Sequence, residues 1–285
     1  MNASRYLAVL GLVIVGLVGV TAHAGKRPAP EVIKLDPLRE RLRTLRVTVN
    51  GQAGEFLLDT GGGATIISPA FAQKIGCKPW GRLTGFRMMG ERLDLQRCDD
   101  VRIVADGVAL RPVTVGVLDA PDLKPGTKAP DGSLALDVFK DRLITFEIDA
   151  NRITLETPES FATRIAGAKE VPIRISRELA GAATDIYVAV PTPQGKLWFL
   201  IDSGNGGTLL VAKDMAQFFS LDPQQEGPQP VRIEVAPGIV AQWEVGFTPQ
   251  MIMDGNLGMP FINRHVISVD LRNERMWIKP LSASR

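Results

Sequence analysis

The sequence predicts an all-β protein built from two homologous β-barrel lobes, related by a pseudo-twofold axis, with few short helices. Three observations lead to this prediction. Strand patterns far outnumber helical ones, turn signals recur roughly every 8–12 residues, and one long segment of the chain occurs twice. Two copies are too few for a repeat solenoid, but they suit two lobes that face each other.

The repeated segment is organised around an Asp-Thr/Ser-Gly motif. The copy at residues 56–68 contains Asp59, and the copy at residues 199–211 contains Asp202. In each copy an apolar run typical of a strand buried on both faces leads into the motif and then into a glycine-rich stretch. Because an unpaired carboxylate at the end of a buried strand is costly, each aspartate is a candidate partner for the other. The neighbouring motif residues predicted to support the loops are Thr60, Gly61, Ser203 and Gly204.

The repeat continues beyond the two motifs. Downstream, residues 131–139 align without gaps with residues 254–262. One Asp-Thr/Ser-Gly motif is expected by chance in roughly one chain in ten of this length, so the long match indicates a duplication. Further matching pairs are 143–148 with 266–271, 152–155 with 275–278, and 46–51 with 187–190.

The duplication divides the chain into two lobes, for which 285 residues provide enough material for two cores. The second repeat is shorter after its helix, so we expect fewer or shorter hairpins there. The predicted segments are a signal peptide (1–24), a leader or linker (25–43, with a first-lobe strand starting near 31), an N-terminal lobe (44–156), a connector (157–170), a C-terminal lobe (171–280) and a tail (281–285).

Turn residues place the strands along the first lobe. Asn50-Gly51 and Asp106-Gly107 are dipeptides that favour two-residue β-hairpin turns. A loop with three prolines follows at residues 118–130. The predicted strands are 45–49, 55–58, 93–96, 101–105 and 113–117.

Capping residues place three short helices. Ser68 is a suitable N-cap for a helix through about residue 75, which Gly76 would end. Thr157 precedes a proline that suits the first helical turn, which predicts a helix to about residue 166, ended by Gly167. The third helix is predicted at residues 212–219 by analogy with the first repeat.

Composition argues against several classes of function. The net charge is +2 without a long basic block, and aromatic residues make up 6% of the chain, so no nucleic-acid partner is predicted. No Gly-Lys-Ser/Thr follows the glycine-rich stretches, as a phosphate-binding loop would require. His265, interpreted as a surface or turn histidine, is the one histidine after the signal segment, so no histidine-rich metal site is predicted. We therefore predict no cofactor and no metal.

The N-terminus has the pattern of an export signal. Arg5 precedes an apolar stretch at residues 7–20, and Ala22-His23-Ala24 matches a small-x-small cleavage site. We expect cleavage after Ala24, export to a periplasm or beyond, and no membrane insertion of the mature chain, with an uncleaved anchor as the alternative. An oxidising compartment permits a disulfide. The candidate pair is Cys77 and Cys98, and two buried thiols remain the alternative.

Two aspartates that meet in one site could activate water. Two carboxylates a few Å apart cannot both ionise cheaply, so they share one proton. The ionised member can accept a proton from water while the protonated member polarises a carbonyl group. This chemistry hydrolyses a peptide bond without a covalent intermediate.

On these motifs the chain resembles the retropepsin/pepsin-type aspartic proteases, of the bacterial exported sort with two fused repeats. Asp59 with Thr65 and Asp202 with Thr208 carry the resemblance, together with the downstream Asp-Gly segments. It implies an acid-protease-like fold, catalytic Asp59 and Asp202, and a flap near residues 86–91 that closes over an extended peptide. The flap residues implied as substrate contacts are Phe86, Met88, Met89 and Gly90.

The sequence departs from the family pattern at a few positions. Gly62 and Asn205 stand where the family usually has Ala or Ser, and Ala135 replaces a usual Gly. The predicted function is an aspartic endopeptidase acting on peptide or protein substrates, with the oligomeric state left open. Two alternatives are a non-catalytic peptide-binding or scaffold protein, and a protease active only when two first lobes pair through Asp59.

Overall fold

The computed structural model describes residues 29–39, 41–119 and 129–281. The predicted signal peptide and most of the predicted tail lie outside these residues, as does the centre of the predicted loop at 118–130.

Twenty-three strands run through the described residues. The first thirteen are β1 (Glu31–Lys34), β2 (Asp36–Leu38), β3 (Leu42–Val49), β4 (Gln52–Leu58), β5 (Ile66–Ile67), β6 (Trp80–Phe86), β7 (Arg92–Val101), β8 (Ile103–Ala105), β9 (Val108–Ala109), β10 (Val113–Val117), β11 (Gly132–Leu134), β12 (Leu143–Glu147) and β13 (Arg152–Leu155). The remaining ten are β14 (Lys169–Val171), β15 (Ile173–Ser176), β16 (Asp185–Thr192), β17 (Gly195–Ile201), β18 (Leu209–Val211), β19 (Gln229–Ala236), β20 (Ile239–Phe247), β21 (Gly255–Leu257), β22 (His265–Asp270) and β23 (Arg275–Pro280).

Helices are short, as the sequence predicts. The α-helices are α1 (Pro69–Lys74), α2 (Pro158–Ile165) and α3 (Met259–Ile262), and 3₁₀ turns occupy Leu136–Phe139, Leu179–Gly181 and Lys213–Phe219. Ser68 and Thr157 cap α1 and α2 by accepting backbone N–H groups. The segment predicted as a helix at 212–219 is a 3₁₀ turn instead, and its Ala212 cap position has no side-chain oxygen with which to stabilise an α-helical start. Within the described ranges, none of the helices has the length and apolar character needed to cross a membrane.

The two lobes repeat one arrangement of strands around their Asp motifs. In the first lobe β4 lies parallel to β11, with Gly132 opposite Phe56. In the second lobe β17 lies parallel to β21, with Gly255 opposite Phe199. The next strands also correspond, because β11 and β21 pair antiparallel with β5 and β18, which lie parallel to β10 and β20. The sequence repeat is therefore a repeat of topology.

The first-lobe sheet has three strands that the second-lobe sheet lacks in the described residues. Over the described residues, the first-lobe sheet has ten strands in the order β6-β7-β10-β5-β11-β4-β3-β8-β9, with β2 beside β3. The seven-stranded second-lobe sheet has the order β15-β16-β17-β21-β18-β20-β19. Its last strand, β19, corresponds to β7 and is followed directly by β20, so the described second lobe has no counterpart of β6, β8 or β9. The shorter second repeat predicts this loss.

A third sheet contains strands from both halves of the chain. Its six strands, counted in the described part, have the order β1-β13-β12-β22-β23-β14. The halves meet where β12 pairs antiparallel with β22 and Ile144 lies opposite Val269. Beside this pair the Thr145 and Ser268 hydroxyl oxygens are 3.0 Å apart and buried. The lobes are therefore joined through backbone hydrogen bonds as well as through side-chain contacts.

Each lobe has an aromatic pair behind its motif strand. Phe56 meets Phe71 of α1 edge-on, with ring centroids 5.5 Å apart. Phe199 meets Phe219 in the second lobe in the same way, at 5.6 Å. Phe56 and Phe199 are fully buried, and buried aromatic rings of this kind contribute strongly to a core. These pairs anchor the strands that end at Asp59 and Asp202.

Two predicted hairpins and the cysteine pair are present in the structure. Asn50 (φ 46°) and Gly51 (φ 84°) form the turn that joins β3 to β4. Asp106-Gly107 joins β8 to β9 in the same way. Cys77 and Cys98 form a disulfide with their Cα atoms 6.2 Å apart, which ties the chain after α1 to strand β7.

Candidate active site

The two motif aspartates lie at equivalent ends of equivalent strands. Asp59 follows β4, and its N–H donates to the Leu134 carbonyl of β11 at 2.9 Å. Asp202 follows β17, and its N–H donates to the Leu257 carbonyl of β21 at 3.1 Å. The backbone of each aspartate is therefore held by the short strand that begins at the downstream Asp-Gly pair of its own repeat. This strand is β11 in the first lobe and β21 in the second.

The hydroxyl residues of the two motifs hold the lobes together by reciprocal hydrogen bonds. Thr60 N–H donates to Ser203 Oγ at 3.0 Å, and Ser203 N–H donates to Thr60 Oγ1 at 3.0 Å. The Thr60 hydroxyl donates to the Ile201 carbonyl, and the Ser203 hydroxyl to the Leu58 carbonyl, each at 2.8 Å. All four bonds cross between lobes, in the symmetric pattern that a local twofold axis requires.

The motif glycines let the two aspartates approach each other. A Cβ on Gly61 would lie 2.6 Å from the carboxyl carbon of Asp202. A Cβ on Gly204 would lie 2.5 Å from Oδ1 of Asp59. Any larger residue would collide with the carboxyl group of the opposite lobe, so both positions need glycine for the aspartates to meet.

The two carboxyl groups have different hydrogen-bond surroundings. Asp202 Oδ1 accepts N–H groups from Gly204 at 2.8 Å and Asn205 at 3.2 Å. Its Oδ2 accepts the side-chain amide of Asn256 at 2.6 Å. Asp59 Oδ1 accepts the N–H of Gly61 at 3.3 Å. Donors therefore favour negative charge on Asp202 more than on Asp59.

Burial raises both pKa values above the ordinary value of an aspartate. For Asp59 burial is the larger cause, and the negative charge of Asp202 adds to it. For Asp202 burial raises the pKa while the bonds from Asn256 and the backbone oppose the rise. The carboxyl groups are also hydrogen-bonded to each other. A single shared proton, located on Asp59, is the arrangement that fits these surroundings.

A second layer of polar groups supports each loop differently. Buried Asp137 accepts Thr65 N–H at 2.9 Å and the Thr65 hydroxyl at 2.6 Å. Thr208, the equivalent threonine, donates its hydroxyl to Asn205 Oδ1 at 2.9 Å. The side chain of Asn205 then donates to Asn256 Oδ1 at 2.9 Å. The loop after Asp202 thus supports that carboxyl group through Asn205 and its contact with Asn256. The loop after Asp59 is instead held in place by Asp137 through Thr65.

The predicted flap is the tip of the β6–β7 hairpin. Arg87 N–H donates to the Glu91 carbonyl at 2.8 Å, which closes the tip. Ile252 N–H of the second lobe donates to the Met88 carbonyl at 3.0 Å, and Met88 packs on an apolar cluster that includes Met251. The tip therefore bridges the lobes.

The other predicted flap contacts have separate positions. Phe86 and Met89 are 57% and 41% exposed. Gly90, at φ 94°, lies in the turn, where a Cβ would approach Ile252. Of the four predicted substrate contacts, Met88 and Gly90 thus already face the second lobe.

Three site residues are missing from the motif-based prediction. Asn256, Asp137 and Asp185 all lie close to the motif loops and are buried. Their sequence signal is a polar residue inside or beside an apolar run, which by itself does not distinguish a site residue from a structural one.

The interpretation of His265 as a surface or turn residue is wrong. His265 is 4% exposed at the start of β22, and its Nδ1 lies 2.8 Å from the Phe261 carbonyl oxygen. Its ring packs on that of Phe261 with centroids 4.3 Å apart, which buries it and lowers its pKa. Within the described residues, no group of three His, Cys, Asp or Glu side chains is arranged to hold a metal ion.

Known proteins relate to this chain in sequence over part of its length and in fold over most of it. Residues 45–138 match the family model described as "Aspartyl protease". This match includes Asp59 and most of the repeat segment that begins at Asp131. No curated protein matches the chain.

Three solved structures share the fold at low sequence identity. Basic 7S globulin from soybean covers 89% of this chain and 95% of its own, with 11% identity and a TM-score of 0.56. Conglutin gamma, a basic 7S globulin from lupine seeds, covers 90% and 96%, with 11% identity and a TM-score of 0.56. Aspartic proteinase from Irpex lacteus covers 89% and 98%, with 13% identity and a TM-score of 0.52.

These similarities agree with the strand order and with the paired Asp motifs. The structural matches establish the fold, and the sequence match adds the family over the first lobe. On this combination the first lobe is similar in sequence to an aspartyl protease family, and the chain as a whole has the acid-protease fold.

Proposed function

We propose that this protein is an aspartic-type endopeptidase that hydrolyses peptide bonds with a water activated between Asp59 and Asp202. The observation that carries the proposal is the meeting of these two buried carboxyl groups, one from each lobe, through a hydrogen bond. The match to an aspartyl protease family over residues 45–138 supports it.

The different surroundings of the two acids assign their roles. Asp202, which accepts hydrogen bonds from Asn256 and two backbone amides, is the ionised base that takes a proton from water. Asp59, which holds the shared proton, donates it to the carbonyl oxygen of the substrate as the water oxygen bonds to the carbonyl carbon. The proton on Asp202 then passes to the leaving nitrogen as the C–N bond breaks, and Asp59 regains its proton from the hydroxyl.

This assignment gives activity a definite pH dependence. Hydrolysis requires Asp202 ionised and Asp59 protonated, so kcat/KM falls when acid protonates Asp202 and again when base deprotonates Asp59. Burial and the charge of Asp202 raise the pKa of Asp59. The upper limb of the profile is therefore expected well above the pKa of an ordinary aspartate.

The test is a fluorogenic peptide-library assay on the mature chain from acidic to neutral pH. Wild type, Asp59→Asn and Asp202→Asn are compared with Asp141→Asn, which removes an exposed carboxylate in a turn outside the site. The proposal expects cleavage by wild type and Asp141→Asn, and a loss of at least about 1,000-fold in either dyad variant because each acid is required for proton transfer.

Other outcomes would favour the alternatives. Loss in Asp59→Asn alone, with activity that depends on protein concentration, would favour paired first lobes. Peptide binding without cleavage by wild type would favour a non-catalytic binding protein. Two of the structural relatives are named as basic 7S globulins rather than as proteinases. Either result contradicts the single-chain mechanism.

Export is part of the proposal. The N-terminal pattern at residues 1–24 lies outside the described residues, and support comes from the Cys77–Cys98 disulfide, a bond favoured in oxidising compartments. N-terminal sequencing of protein from the periplasm or medium should give Gly25 as the first residue. A full-length chain confined to the cytoplasm would contradict export.

A further inference from the structure

A third carboxyl group, which the proposed mechanism does not use, lies beside the dyad. Asp185 begins β16 of the second lobe and is 9% exposed. Its Oδ2 lies 3.1 Å from the position that a Cβ would take on Gly63, in the loop that follows Asp59. The preceding residue, Thr184, donates its N–H to the Gly63 carbonyl at 2.8 Å. Asp185 is therefore fixed against the loop that carries Asp59, at the boundary between the lobes.

One oxygen of Asp185 has no partner among the described residues. Oδ1 is buried and makes no hydrogen bond to any of them. A buried polar atom left in this state costs roughly 1–3 kcal/mol, and native structures satisfy the great majority of such atoms. The salt bridges between described residues do not include Asp185 or its neighbour Glu178. The unpaired oxygen is therefore an acceptor that a bound ligand could satisfy.

Acidic groups act on Asp185 from both lobes. Burial raises its pKa to about 8, and electrostatic repulsion from Glu178 and from the Asp59–Asp202 pair contributes to the rise. A cation bound to Asp185 would therefore lie in a region of negative potential. Its charge would favour ionisation of Asp185 and would relieve the repulsion among the acids.

The wall beside Asp185 is a strained segment that touches the flap hairpin. Leu179, Ala180 and Gly181 have φ values of 52°, 56° and 87°. The left-handed region costs an ordinary residue roughly 1–2 kcal/mol, and such strain is concentrated at ligand clamps and active sites. The Leu179 side chain lies 3.1 Å from the Cβ position of Gly85 on flap strand β6. The segment thus lies between Asp185 and the hairpin that would close over a peptide.

The equivalent position in the first lobe has different chemistry. Strand pairing corrects the alignment of 46–51 with 187–190 by two residues: Thr44 lies opposite Leu57 as Tyr187 lies opposite Leu200, so Leu42 is the equivalent of Asp185. The loop after Asp202 is met there by Leu42, 3.0 Å from the Cβ position of Gly206. One side of the paired loops is therefore acidic with an unpaired oxygen, and the other is apolar. A peptide bound between the lobes would therefore contact an acidic surface beside Asp185 and an apolar surface beside Leu42.

We propose that Asp185, with Glu178 at its rim, forms an acidic subsite that binds a positively charged group of the peptide held in the cleft. The group is an ammonium or guanidinium, supplied by a lysine or arginine side chain or by a free amino terminus. This inference rests on the proposed peptidase function and adds a substrate class to it.

The test compares peptides that differ in one charge. Lysine or its uncharged analogue norleucine is placed at each position in turn of a cleaved fluorogenic peptide. At one position, wild type should cleave the lysine peptide with a kcat/KM at least about tenfold above that of the norleucine peptide, which corresponds to about 1.4 kcal/mol. The ratio should fall to about one in Asp185→Asn and stay at the wild-type value in Asp141→Asn. Because the ratio is taken within each variant, a general change in activity cancels.

A second arm separates the source of the cation and the two proposals. If the ligand is the free amino terminus, acetylating it lowers kcat/KM in wild type and not in Asp185→Asn. If the ligand is a side chain, the lysine preference is present and acetylation leaves it unchanged. Fluorescence anisotropy with Asp59→Asn protein measures binding of the same peptides without cleavage. Lysine-selective binding that requires Asp185, with no cleavage by wild type, would support the subsite and refute the peptidase. Cleavage or binding with no charge preference, or a preference that survives Asp185→Asn, overturns the subsite.

Discussion

Asn256 makes the two catalytic candidates chemically unequal. Its amide donates to Asp202 at 2.6 Å, and Asn205 orients it from behind. In the first repeat the matching positions are Ser133 and Gly62, and glycine has no side chain to offer to Asp59. A single side-chain donor on one side of the pair is enough to decide which acid bears the charge, because hydrogen bonds to a carboxylate lower its pKa.

We expect Asn256→Ala to move the acid limb of the pH profile upward. Without the amide, burial of Asp202 is less opposed and its pKa rises further, so Asp202 stays protonated to a higher pH. A rise of one unit would lower kcat/KM on the acid side by about tenfold. The measurement is kcat/KM against pH, with Asn273→Ala, an exposed turn residue, as the control. An acid limb in the same place would contradict this role.

Thr65 is expected to matter for stability more than its counterpart Thr208. Thr65→Val removes the hydroxyl that donates at 2.6 Å to Asp137, a carboxyl whose pKa burial raises to about 6. Leaving a buried acceptor short of a donor should lower the free energy of unfolding by about 1–3 kcal/mol. Thr208 bonds to a half-buried, neutral amide, so Thr208→Val should have a smaller effect.

Urea unfolding of the two threonine variants at pH 7 tests this difference. Equal losses, or a larger loss for Thr208→Val, would show that Asp137 does not depend on the Thr65 hydroxyl.

At this scale the sequence predicts Asp59 and Asp202 but not their partners. The motif aspartates are recognisable because the same pattern occurs twice around them. Asp137, Asp185 and Asn256 have no such pattern, and their roles depend on groups that are distant along the chain. For example, Asn256 meets Asp202 across 54 residues of sequence. A polar residue beside an apolar run predicts that something must pair with it, but not which group.

Among the elements, the β6–β7 hairpin contacts the second lobe at two points, one on strand β6 and one at its tip. Gly85 meets Leu179, and Met88 accepts a hydrogen bond from Ile252. Opening this flap would break the Ile252–Met88 backbone hydrogen bond and the apolar contacts of Met88. Flaps of this kind limit many enzymes by their opening rate.

Ile252→Pro is expected to release the flap tip. Proline has no N–H to donate to the Met88 carbonyl, whereas Ile252→Ala keeps the donor and serves as the matched control. Hydrogen exchange of the amides at residues 87–90 should be faster in the proline variant than in the alanine variant. Equal exchange in both variants would mean that the hydrogen bond does not hold the tip.

The disulfide is expected to stabilise the first lobe through the segment after α1. Cys77 and Cys98 are 21 residues apart, and closing a loop of this size is worth about 3 kcal/mol on a chain-entropy estimate. The Cys77→Ser/Cys98→Ser variant should lose about that much in chemical denaturation. A reductant should destabilise wild type and leave the double variant unchanged. Equal stability of oxidised and reduced wild type would contradict the expectation.

Local chemistry predicted most of these elements. Asn50-Gly51, Asp106-Gly107, Ser68 and Thr157 act within a few residues of themselves, so their turns and caps are readable from the chain. The segment at 212–219, predicted as a helix by analogy with the first repeat, is a 3₁₀ turn because Ala212 has no side-chain oxygen to cap an α-helix. The contact between the flap and Ile252 joins residues far apart and depends on how the lobes face each other.

For the molecule as a whole, the reciprocal bonds of Thr60 and Ser203 set the relative position of the lobes. Thr60→Val removes one hydroxyl that both donates to the Ile201 carbonyl and accepts from Ser203 N–H. We expect a loss of about 2–3 kcal/mol in the free energy of unfolding, since buried backbone groups lose their partners.

Activity should fall more than stability explains, because the dyad geometry depends on the same contacts. The measurement is kcat/KM well below the unfolding transition, together with chemical denaturation. A Thr60→Val protein with wild-type kcat/KM would show that these bonds do not position the acids.

The repeat predicted the two lobes but not the sheet they share. Residues 143–148 and 266–271 were identified as equivalent strands of two copies, which says nothing about whether they pair. In the structure β12 and β22 lie side by side. This pairing requires both lobes to be docked, so no local pattern in either strand reveals it.

The shared sheet has a consequence for synthesis. While the first half emerges from the ribosome, the edge of β12 has no β22 to cover it, and an open edge invites pairing with other chains. Production of the amino-terminal half alone should therefore give self-associating material, whereas co-expression of both halves should give a soluble pair.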